Sequence, residues 1–137
     1  LSFAKPQNKT VTLGVLDHAD IAFLGTKGQQ IESPIMTISD HLLVGKKAQR
    51  HGDADNALTT QEWMQLPQLI AQAQQVVWDV KNESMLYILP ALNKTYDNEV
   101  IKLSIRTYAA MEIVSIFKIQ NDVIEGSLQS GVYEKIR

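Results

Sequence analysis

From Ser39 to Gly52 the chain reads Ser-Asp-His-Leu-Leu-Val-Gly-Lys-Lys-Ala-Gln-Arg-His-Gly, setting His41, Lys46, Lys47, Arg50 and His51 on one expected helix. An imidazole titrates near neutral pH, and lysine and arginine stabilise phosphate or a developing oxyanion. A second group follows on an expected strand. There Lys102, Ser104, Arg106 and Tyr108 alternate with Ile101, Leu103, Ile105 and Thr107, so one sheet face carries all four. Lys118, on the next strand, is expected to extend this basic ladder.

These residue types suit a site that moves protons and handles phosphate or a developing oxyanion. The residues expected to do chemistry there are His41, Lys47, Lys102 and Arg106. Lys46, Arg50, His51, Ser104, Tyr108 and Lys118 are expected to bind substrate, with Lys47 and Arg50 three apart on one helix face. Outward lysines and arginines on an antiparallel sheet are ordinarily only solvated. The decisive geometry is therefore whether helix and ladder share one cleft.

Bulk properties narrow the function classes. The 137 residues, 45% hydrophobic and 20% charged, describe one folded domain rather than a disordered tail. With net charge -2, nucleic acid must be gripped by a local patch, not by overall charge. Cysteine is absent, which excludes disulfides and thiol catalysis. With three histidines and no thiol, no metal site is expected, and no cofactor motif is visible. No apolar run approaches the ~20 residues of a membrane span, and no secretory signal is visible, so a cytoplasmic or virion-associated protein is expected.

The elements that must position these groups follow from local pattern. Residues 1–9 read as a frayed start, Val11–Leu16 as a strand, and Asp17 as the cap of a short helix stopped by Gly25. Ile35–Ile38 is a second strand, and Ser39 caps the basic helix Asp40–His51. Thr59 and Glu62 form a capping box, opening a helix that Pro67 must kink or divide. Four strands are expected at Val76–Val80, Met85–Leu89, Val100–Tyr108 and Ile113–Ile119, then a helix from Asn121 that Gly131 ends. Trp63, Leu66, Trp78 and Phe117 are expected in the core, whereas Tyr108 and Tyr133 fall where a base could stack. The class is α+β: short strands and helices, a four-stranded antiparallel sheet, then a C-terminal helix.

An ordered series runs through these elements: His41, Lys46-Lys47, Gly52, Leu58-Thr59, Glu62-Trp63, Leu66-Pro67 and Val77-Trp78-Asp79, with a Leu86-Tyr87 strand following. It resembles the C-terminal domain of phage head-morphogenesis (Mu F-like minor capsid) proteins, grouped with the barnase, EndoU, colicin and RelE-like ribonucleases. The similarity spans residues 35–137, and Gly131–Ile136 looks like the family's closing segment. The chain departs from the pattern at Val44, where the family carries arginine, and at Ala73, where proline is common. The resemblance implies a metal-independent RNA-cleaving domain of a head-morphogenesis protein or toxin, needing a base for the ribose 2′-hydroxyl, cations for the charge on phosphorus and an acid for the leaving 5′-oxygen, with capsid or portal proteins or an immunity protein as partners. A non-catalytic capsid-associated module is the alternative it allows, because such scaffolds host both.

Overall fold

A computed structural model describes residues 9–40, 42, 56–108 and 110–137. Strand β1 (Thr10–Val15) leads into helix α1 (His18–Thr26), and strand β2 (Ile35–Ser39) follows. Helices α2 (Thr60–Met64) and α3 (Leu66–Ala71) precede strands β3 (Gln75–Asp79), β4 (Ser84–Pro90), β5 (Glu99–Arg106) and β6 (Met111–Gln120). Helix α4 (Asn121–Ser130) and strand β7 (Tyr133–Lys135) close the described chain.

Local chemistry explains most boundaries. Asp17 accepts from the Ala19 N–H while Asp20 reaches back to the Asp17 N–H, so α1 opens on a capping box. The helix runs through Gly25 rather than stopping there, and the left-handed residue is Gly28. Thr59 and Glu62 form the second capping box, and Pro67 starts α3 after Gln65 breaks the pair. Gly131, at φ 82°, ends α4.

All the strands join one seven-stranded sheet, ordered β1-β2-β6-β5-β4-β3-β7. The expected four-stranded sheet is thus its centre, antiparallel throughout. Two additions correct that expectation. The β1–β2 hairpin joins through a parallel β2–β6 pairing, and β7 adds an antiparallel strand on β3. Pairing satisfies the N–H and C=O groups that four strands would leave open at both edges.

The sheet is covered on both faces. On the first, α1 and α3 contribute Leu24, Leu66, Leu69 and Ile70 to a cluster with Trp78, Tyr87, Leu103 and Ile113. Trp63 packs at its margin, as the helical stripe predicted. On the second face, Ile124 of α4 covers Val77, Leu86, Ile88, Val100 and Tyr133. Burying an apolar side chain of this size contributes about 1.5–3 kcal/mol. The larger cluster therefore dominates stability, and the second face has room for polar side chains. No helix among the described residues is long and apolar enough to cross a membrane.

Candidate functional site

The ladder exists on β5. Lys102, Ser104 and Arg106 lie on the second face, because their partners Ile88, Leu86 and Ser84 do, and Leu86 and Ile88 pack under α4. Their Cα atoms spread over about 13 Å from Lys102 to Arg106, a spacing suited to successive groups along an extended strand. Ser104 is buried and Arg106 exposed. A β-bulge separates Ser104 from Ile105 in the β5–β6 pairing, with Val114 as the extra residue. Bulges of this kind re-aim neighbouring side chains.

Lys102 is the unusual member. Its cross-strand neighbours are Ile88 and Phe117, and its ammonium stands 4.7 Å from the centre of the Phe117 ring. Burial lowers its pKa below the ordinary 10.5, against the opposing pull of the Asp79 carboxylate. Phe117 therefore sits beneath a cation on the polar face rather than in the large core. Asp79 itself is buried, held by the Asn82 N–H at 3.2 Å and side-chain amide at 2.8 Å. Tyr133 pairs with Asp79 and belongs to the second apolar cluster, so it is packed and not a stacking platform. Burial, then Asp79, raises its pKa. Tyr108 is exposed, its hydroxyl 3.5 Å from Glu83.

Lys118 does not extend this ladder. The bulge shifts the alternation of β6, and Lys118 pairs with Ile101 on the first face. There its ammonium is buried, 2.9 Å from Glu62 and 2.7 Å from the Asn93 carbonyl. Glu62 also accepts from the Thr59, Leu92 and Asn93 N–H groups. Burial pushes its pKa up, but Lys118 and these three N–H groups outweigh it and hold the carboxyl below 4.5. A saturated, buried pair of this kind anchors α2 and the β4–β5 loop to β6; it has no surface left for substrate.

The other half of the expected site, His41, Lys46, Lys47, Arg50 and His51, lies outside the described residues, as does the expected helix through His51. Leu42, next to His41 in sequence, packs against the first-face cluster, opposite Lys102 and Arg106.

A second group has no precedent in the expected site. Buried Asp20 accepts from Arg137 Nε at 2.9 Å and Nη2 at 3.2 Å, and from the Tyr87 hydroxyl. Arg137 also lies over the Tyr87 ring, 5.7 Å from its centre. Hydrogen bonding to Asp20 raises the Arg137 pKa, and burial followed by Asp20 raises that of Tyr87. Tyr87 and Arg137 line a cleft of about 330 Å³ walled by Gly14–His18 and by Pro67, Ile70 and Ala71. They are 67 and 117 positions from Asp20 in sequence, so no local spacing signals them. The only local hint was Asp20 beside the Asp17 cap.

Among the described residues no cluster of three or more histidines and carboxylates is arranged to hold a metal. Compared with models of known families, with curated proteins and with solved structures, the chain matches none.

Proposed function

We propose that this domain is a ribonuclease-like module of a phage or prophage head-morphogenesis protein or toxin. It cleaves RNA without metal, the strand lying along the β5 ladder. The supporting observation is Lys102, whose ammonium lies over the Phe117 ring and which shares one strand face with Ser104 and Arg106. Desolvation makes that ammonium a better proton donor than a solvated lysine. In the step, the 2′-oxygen attacks phosphorus, its proton passes to a base, and the P–O5′ bond breaks. Lys102 gives its proton to the departing 5′-oxygen, while Arg106 balances charge on the neighbouring phosphate.

The test is single-stranded RNA incubated with the domain in EDTA, products being read for 2′,3′-cyclic phosphate ends. Lys102→Ala and Arg106→Ala should each slow cleavage by ~10²-fold or more, the usual worth of a general acid or charge clamp. A protein inert on all RNA would favour the non-catalytic capsid-associated module, and cleavage only with a divalent ion would refute the metal-free step.

A further inference from the structure

The cleft above Asp20 combines features that a merely structural ion pair does not need. A guanidinium carries five N–H donors, and Asp20 takes two of them. Asp20 and the Tyr87 ring hold its plane fixed, so the remaining donors are preorganised in a fork. Beside it, at the same cleft, Asp17 is exposed and uses one carboxylate oxygen to cap Ala19 at 2.9 Å. In the capping box the same side chain also accepts from the Asp20 N–H, and a carboxylate keeps further lone pairs beyond these. The opposing wall is Pro67, Ile70 and Ala71, an apolar surface at α3.

Charge decides what such a cleft takes. Asp20 neutralises Arg137, and Asp17 leaves the site net negative, so a free phosphate or carboxylate is disfavoured. The arrangement instead asks for a neutral, flat ligand that offers two adjacent acceptors to a fork and N–H donors to a carboxylate. Among nucleobases, guanine has this combination: O6 and N7 for arginine, and N1–H with the 2-amino group for aspartate. Adenine presents a donor where the fork needs an acceptor.

We infer that the cleft between the β1–α1 junction and α3 binds a guanine base, with Arg137 reading its acceptor edge and Asp17 its donor edge. The volume of about 330 Å³ admits one base. Because Tyr87 and α3 belong to the first face, this site lies across the sheet from Lys102, and it stands independently of RNA cleavage.

The experiment titrates the ¹⁵N-labelled chain with guanosine, adenosine, cytidine and inorganic phosphate, none of which contains a bond to cleave. Guanosine should shift the amides of Leu16, His18 and Ala71 and bind more tightly than the other three. Asp17→Asn keeps the helix cap and should weaken guanosine by about tenfold or more, the cost of a lost charge-assisted hydrogen bond. Ala71→Phe, an exposed position, fills the cleft and should abolish binding with folding intact. Phosphate binding as tightly as guanosine, equal binding of all nucleosides, or no response at all would each overturn the inference. So would full guanosine affinity in Ala71→Phe.

Discussion

Replacing Lys118 by methionine tests how the fold uses its most deeply buried ion pair. The Lys118 and Glu62 side chains are 5% and 0% exposed, and their charged atoms are 2.9 Å apart. Methionine matches the apolar stem of lysine, so little packing is lost. What changes is that the Glu62 carboxylate remains in the interior with only the N–H groups of Thr59, Leu92 and Asn93. The Asn93 carbonyl loses its donor as well. Breaking one side of a buried pair costs about 3–5 kcal/mol. The three surviving N–H bonds place Lys118→Met at the lower end, about 3 kcal/mol. Urea unfolding followed by Trp63 and Trp78 fluorescence measures this directly.

The pH dependence sharpens the test. In the native chain the Glu62 pKa lies below 4.5. Its stabilising contribution is therefore complete above that value and is lost as pH falls through the folded pKa. Removing Lys118 takes away the largest of the lowering influences and leaves desolvation in place. The Glu62 part of the acid decline should then shrink, while the double variant Glu62→Gln, Lys118→Met recovers part of the loss. A cost below 1 kcal/mol with an unchanged acid limb would refute the account of Glu62 as a charged anchor.

Other outcomes are equally checkable. Lys102→Met should raise the urea midpoint at neutral pH, because its charged form is disfavoured in the fold; the gain should fade as pH rises toward 10.5. A drop in stability would argue that Lys102 is structural and weaken its role as an acid. Gly131→Ala, at φ 82°, should cost about 1 kcal/mol by thermal or urea unfolding, and no loss would mean that α4 ends differently. Thr59→Ala removes a cap and should cost about 1 kcal/mol, whereas Thr59→Ser should cost less.

What the sequence alone determined is local. The capping box at Thr59 and Glu62, the break at Pro67, the alternation of β5 and the stop at Gly131 depend on neighbours within four residues. Short-range sterics and hydrogen bonds settle them before the chain closes. The four central strands were legible for the same reason. Tertiary structure decided the rest. Whether β2 pairs with β6 in parallel, or β7 reaches β3, depends on which edges remain open once the centre has formed. The face assigned to Lys118 also failed locally: one extra residue at Val114 shifts a period of two and turns every later side chain over. Ile113, Ile116 and Lys118 thus share a face that strict alternation would divide. The cleft was least legible of all. Asp20, Tyr87 and Arg137 meet because a helix, a central strand and the chain's last described residue converge. A buried carboxylate requires partners, but sequence does not say which distant side chains will provide them.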